Sequence, residues 1–173
     1  WGNDLIRGWN KGWWDAPARV GDKIGQLIGA AAGQVLVNDT VSINLFKLAT
    51  AALTLQPHKT RIITDTFNFP SDLYILQGIA NLLSTTSNQQ NHASRITNHE
   101  LIRIGASDND ITPDLAALEA AINEDTALVT LSHVVFKSGY MYDMQRITEL
   151  AHKKGALVLW DLSHSVGSVP VHL

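Results

Sequence analysis

The residues Trp160-Asp161-Leu162-Ser163-His164-Ser165 follow directly on the apolar run Ala156-Leu157-Val158-Leu159. Such a run after a helical stretch has the pattern of a strand buried on both faces of a parallel sheet. Asp161 then stands at the carboxyl end of that strand, where open α/β sheets place their ligands. A carboxylate there can hold a cationic ring nitrogen, and His164, three residues on, can lie beside the same ligand. A strand-end Asp can equally do no more than cap the next helix. The weight of the assignment therefore falls on polar groups upstream.

Three further strand-end loops carry such groups. Asp39-Thr40-Val41-Ser42 opens a helix, and hydroxyls with backbone N–H groups at a helix start attract phosphate through the dipole and the unpaired donors. An ordinary helix cap has the same composition. Neither a G-x-G-x-x-G nor a G-x-x-x-x-G-K-[ST] loop is present, so the common nucleotide cradles are excluded. In Phe67-Asn68-Phe69-Pro70-Ser71-Asp72, an aromatic ahead of a Pro-started helix can stack on a planar ligand while Asp72 binds its polar edge. Core packing for Phe69 and first-turn dipole pairing for Asp72 are the plainer alternatives. Ser132-His133 forms the last loop.

The elements that must position these groups follow from periodicity and punctuation. Helices are expected over residues 1–14 (Leu5, Ile6, Trp9 and Trp13 on one face), 20–30, 41–55, 71–83, 112–122 and 143–154. The fifth is read with Thr112 as N-cap and Pro113 at its first position. Strands are expected over residues 34–37, 61–64, 101–104, 127–131 and 156–160. Residues 84–99 are polar, without period, and read as a surface loop or insertion. Alternating strands and helices imply an α/β class protein, an α/β/α sandwich with a mainly parallel sheet. Residues 1–30 read as an N-terminal helical segment and 31–173 as part of a larger cofactor-binding domain.

Composition limits the classes. With 173 residues, 45% hydrophobic and 17% charged, the chain has material for a full core and is neither disordered nor fibrous. A net charge of −3 without a basic run gives no reason to expect a nucleic-acid partner. The absence of cysteine excludes disulfides, thiolate metal sites and a Cys nucleophile. No metal is expected. No stretch reaches the ~18 apolar residues of a membrane helix and no signal peptide opens the chain, so a cytoplasmic protein without a membrane partner is expected. The chain begins at Trp1 inside a helix-like pattern and stops at Leu173 just after a strand, the look of an internal piece of a longer protein.

A planar, phosphorylated, cationic heteroaromatic would satisfy all these strand-end loops, and pyridoxal 5'-phosphate is such a molecule. The blocks W-G-N-D-L-I-R-G-W-N, T-V-S-I-N-L-F-K-L, F-N-F-P-S-D-L-Y, L-S-H-V-V-F-K-S-G-Y-M-Y-D-M and L-V-L-W-D-L-S-H-S-V-G-S-V-P-V run in order through the chain. Together they resemble the kynureninase family, pyridoxal-phosphate enzymes of the aspartate-aminotransferase fold, fold type I. F-P-S-D combined with W-D-L-S-H-S carries most of the resemblance.

That resemblance implies part of a large domain whose cofactor contacts are Val41 and Ser42 on the phosphate side, Phe69 stacked on the ring, and Asp72 in the same F-P-S-D contact. It further implies Ser132 as a cofactor contact, Asp161 as partner of the pyridine nitrogen, and His164 beside it. Trp9 matches an aromatic near the substrate's ring. The Schiff-base lysine is expected beyond Leu173 after a Tyr, so no catalytic residue lies within the chain; Lys137 aligns at a non-catalytic rim position. The implied reaction hydrolyses L-kynurenine or 3-hydroxykynurenine to anthranilate or 3-hydroxyanthranilate plus L-alanine, in tryptophan catabolism, by a homodimer. An isolated segment without its lysine would be inactive. Two other readings stay open: a cysteine desulfurase-like or class V aminotransferase-type enzyme, which typically stacks His where Phe69 would lie, and a non-catalytic cofactor-binding remnant.

Overall fold

The computed structural model describes residues 2–87, 99–108 and 111–173. A 3-10 helix at Leu5–Lys11 is followed by α1 (Ala16–Ile28), α2 (Val41–Leu55), β1 (Arg61–Asp65) and α3 (Pro70–Ser87). Then come β2 (Glu100–Ile104), β3 (Ala106–Asp108), β4 (Thr112–Pro113), α4 (Leu115–Ala121), β5 (Thr126–Ser132), α5 (Met144–Lys153) and β6 (Leu157–Asp161). These form two compact units, Trp1–Thr40 with Ser165–Leu173, and Val41–His164.

The larger unit is built on a four-stranded sheet of order β2-β1-β5-β6, with every neighbouring pair parallel. Side chains of a strand alternate between faces, and here the alternation separates two cores. Ile62 and Leu128 face one way and meet Ala49 and Leu53 of α2 and Leu76, Ile79 and Ala80 of α3. Ile63, Val129 and Leu131 face the other way, against Leu118 of α4, Tyr142, and Ile147 and Ala151 of α5. The result is the α/β/α sandwich that the sequence pattern implies. The strand order turns in opposite directions from β1 and from β5, so a crevice opens between their carboxyl ends, the usual ligand position in such sheets.

The smaller unit holds the 3-10 helix and α1. α1 begins at Ala16 with Pro17 in its first turn, a position where the missing N–H costs nothing. A Cβ on its Gly21 would stand 1.9 Å from the Val35 carbonyl oxygen, so only glycine lets that backbone pass so closely. Val37 N–H donates to the Pro17 carbonyl (3.3 Å) and Leu173 N–H to the Ile28 carbonyl (2.9 Å).

Several expectations are corrected. The helix expected over residues 1–14 is a 3-10 helix confined to Leu5–Lys11, stopped by Gly12 at φ 92°. Residues 34–37 form no strand; they run irregularly beside α1, held by the Val37–Pro17 bond. Thr112 and Pro113 pair antiparallel with Ala106 and Asp108 in a short hairpin. The cap of α4 passes to Asp114, whose carboxylate accepts from Ala117 N–H at 2.9 Å, because Asp is the better cap once Thr112 is committed to a strand. Residues 84–87 of the expected loop continue α3, where Ser84 Oγ donates to the Ala80 carbonyl at 2.8 Å; residues 88–98 lie outside the described residues. β6 is half-buried along its whole length and not covered on both faces, because among the described residues it pairs only with β5.

Candidate cofactor site

The alternation that divides the core also decides which strand-end groups share a surface. In the β5–β6 register Ser132 stands opposite Asp161, so both point to the α2/α3 side. There the carboxyl edge of the sheet meets the amino ends of both helices. A cleft of about 220 Å³ is lined by Val41 at the start of α2, by Phe69, Ser71 and Asp72 around the start of α3, and by Asp161, Ser163 and His164 after β6. Three aromatic rings form a rim: the Phe69 centroid lies 5.1 Å from Phe136 and 6.4 Å from His164, and Phe136 lies 6.1 Å from His164.

Asp161 is held from behind. Its Oδ1 accepts from Ser163 N–H (2.8 Å) and Ser163 Oγ (2.5 Å). Ser132 Oγ lies 3.2 Å from Oδ2 and 2.7 Å from Asn68 Oδ1. Asn68 is oriented in turn by donating through Nδ2 to Thr64 Oγ1 (3.0 Å) and the Thr130 carbonyl (3.5 Å). Thr64, Asn68, Thr130 and Ser132 are all buried, so this is a dry polar layer beneath an accessible carboxylate. Such a network is rigid when its members are paired.

Asp72 is 2% exposed, and Ser71 Oγ donates to its Oδ1 at 3.3 Å. Burial pushes its carboxyl above the ordinary Asp range, and the charge of Asp161 pushes the same way; the Ser71 hydroxyl and His164 act in the opposite sense. The protonated form of Asp72 is thus favoured more than that of a surface carboxylate. The amino end of α2 opens on the cleft through Val41, with Ser42 half-buried in the same first turn. The donor set thus combines a carboxylate fixed at one end, a ring beside it and a helix amino end, which fits a planar ring with a cationic nitrogen and an anionic arm.

The cleft brings together Val41, Phe69, Asp72, Asp161 and His164, with Ser132 one layer beneath. Trp9 belongs to the smaller unit, 51% exposed, its ring 5.5 Å from Trp14. Lys137 is exposed, its Nζ 5.6 Å from the Phe136 ring centre, and does not line this cleft. His133 faces the opposite side of the sheet from Ser132 and meets the edge of Trp160 (6.3 Å); burial lowers its pKa. Sequence reasoning gave no role to Asn68, Ser163, Phe136, Asp65 or Tyr142. The alternation of β5 could have separated Ser132 from His133 in advance. Asn68 lies inside the F-N-F-P-S-D motif, but its partners come from other strands. Behind that loop, Asp65 Oδ1 accepts from Phe67 N–H (2.8 Å) and Asn68 N–H (2.7 Å) while Tyr142 donates to Oδ2 (2.5 Å). Among the described residues no cluster of His, Asp and Glu could hold a metal, and no helix is long and apolar enough to cross a membrane.

The chain is 47% identical over 178 aligned residues to a kynureninase of Pseudomonas fluorescens, and 42% identical to one of Burkholderia pseudomallei strain K96243. Both alignments take in 100% of this chain and 38% of the relative, so the chain spans well under half the length of these proteins. Among solved structures, a NifS-like protein matches with TM-score 0.70 at 19% identity, over 90% of this chain and 39% of that one. The apo cysteine desulfurase of Thermococcus onnurineus NA1 matches with TM-score 0.71 at 22% identity, over 90% and 35%. At such identities these two speak for the fold. The family model described as Aminotransferase class-V covers residues 18–173, and the chain accordingly belongs to the class-V aminotransferase family.

Proposed function

We propose that the chain is the cofactor-holding segment of a kynureninase, a pyridoxal-phosphate enzyme that hydrolyses L-kynurenine or 3-hydroxykynurenine to the corresponding anthranilate and L-alanine. The observation that carries this reading is Asp161, fixed at the end of β6 by Ser163, in one cleft with Phe69 and the amino end of α2. Relatives that are 42–47% identical over the whole chain are kynureninases, which supports that enzyme over others of the fold. When bound, pyridoxal phosphate supplies an electron sink for bond breaking beside an amino acid's α-carbon.

In this reading Asp161 holds the protonated ring nitrogen by charge and hydrogen bond. Phe69 lies against the ring face and keeps water from it. Val41 and Ser42 place the α2 amino end against the phosphate, and Asp72 stands toward a ring substituent. His164 closes the rim with Phe136. Residues 1–30 are an N-terminal helical segment and 31–173 part of the large domain. Among the described residues no lysine lines the cleft, and we assign turnover to the full-length protein. We assign that protein to tryptophan breakdown as a cytoplasmic homodimer.

The test offers the full-length protein pyridoxal phosphate with L-kynurenine, 3-hydroxykynurenine and L-cysteine in turn. Release of fluorescent anthranilate, lost in Asp161→Ala, is the expected result. Alanine from cysteine, with its sulfur released as sulfide by added dithiothreitol, and no product from either kynurenine would replace this reading with the desulfurase one.

A further inference from the structure

Ser132 has one hydroxyl proton and two acceptors within reach, and the distances favour Asn68 Oδ1 (2.7 Å) over Asp161 Oδ2 (3.2 Å). The Asn68 amide cannot readily turn, because its Nδ2 is engaged by Thr64 Oγ1 and the Thr130 carbonyl. Its oxygen is thereby fixed toward Ser132 in a layer where Asn68 and Ser132 are each 3% exposed and water has little access. Oδ1 of Asp161 already accepts two hydrogen bonds from Ser163. Oδ2 is thus the oxygen with capacity left for a ligand.

We propose that Asn68 is a positioning residue that draws the Ser132 proton away from Asp161, so that Oδ2 keeps its full accepting strength for a cationic ring nitrogen. A hydrogen bond donated to a carboxylate stabilises its charge and weakens it as an acceptor for another cation. Asn68 sets where the Ser132 proton goes without touching the ligand. The inference rests on the proposed reading of Asp161 as the ring-nitrogen partner.

The test uses the full-length protein freed of its cofactor and 4'-deoxypyridoxine 5'-phosphate, which has no aldehyde and needs no lysine. Calorimetry gives its affinity, and the ultraviolet band of the bound probe reports ring-nitrogen protonation. Asn68→Ala frees the Ser132 proton to turn to Asp161. The expected result is about five- to tenfold weaker binding above neutral pH, with the ring nitrogen losing its proton at lower pH. Ser132→Ala, which removes the proton altogether, should weaken binding less than Asn68→Ala does. The double variant should behave as Ser132→Ala.

Weakening that persists undiminished in the double variant would mean that Asn68 acts through packing, and overturns the proposal. Tenfold or greater weakening in Ser132→Ala alone would mean that Ser132 supports Asp161 directly, and tighter binding would mean that its proton already sits on Asp161; either result also overturns it. Should Asn68→Ala unfold, that Ser132→Ala comparison still decides. A probe whose affinity is untouched by Asp161→Ala would instead refute the assignment of the ring-nitrogen partner, a separate result.

Discussion

Replacing Tyr142 by Phe removes one oxygen from a site with little room for water. Tyr142 is 2% exposed and Asp65 1%, and the phenol donates to Asp65 Oδ2 at 2.5 Å. Burial, then the charge of Asp65, hold the phenol protonated, so it acts as a donor throughout the accessible pH range. A hydrogen bond to a charged group contributes about 1.5–3 kcal/mol, and the remaining oxygen would be buried without its partner. The expected loss is about 2 kcal/mol, or about 4–8 °C in melting temperature for a chain of this size. The pH dependence is the sharper test. Burial raises the Asp65 carboxyl above its ordinary range, while the Tyr142 hydroxyl and the Phe67 and Asn68 amides pull it down. A carboxyl more easily protonated folded than unfolded makes stability fall as pH rises through the folded pKa, and the cost vanishes below the unfolded one. Tyr142→Phe removes the largest of the opposing hydrogen bonds, raises that folded pKa further, and so penalises the variant more in alkali than in acid. Urea unfolding at several pH values between about 4 and 8 measures it. A deficit that is flat across this range, or that grows toward acid, would refute the reasoning.

Three further outcomes are expected. Phe69→Ala should weaken pyridoxal phosphate about tenfold in an equilibrium titration of the full-length protein, since an aromatic pair adds about 0.5–1.5 kcal/mol beyond area burial, while Lys137→Ala should leave that affinity within twofold. Ala49→Leu, at a position with 0% exposure between α2 and the sheet, should cost about 1–3 kcal/mol in chemical denaturation through overpacking. Gly21→Ala should disturb the smaller unit, its added carbon meeting the Val35 carbonyl, seen as faster amide exchange over α1.

The sheet was legible because each of its strands is a short run rich in Ile, Leu or Val that comes next in order after a helix, and α2 because its period and its start at residue 41 coincide. The site was legible where one residue at a strand end carries the chemistry, as Asp161 does. It was not legible where the partners come from separate strands: Asn68 meets Ser132 only because β1 and β5 are neighbours. Residues 34–37 show the opposite failure, since a short apolar-looking run forms a strand only when a partner strand is beside it. Thr112-Pro113 reads as a helix start in one dimension, and the pairing with β3 overrides that.

The register of β6 on β5 has a genetic consequence. Leu128 pairs with Leu157 and Ser132 with Asp161, without a bulge between them. Because side chains alternate strictly, losing or gaining one residue in the Gly155-Ala156 turn would not shorten the strand's chemistry by a notch but invert it. Trp160 or Leu162 would then face the cleft and the carboxylate would go to the α5 side. A single-codon deletion there, far in sequence from F-P-S-D, is therefore equivalent at the site to erasing Asp161.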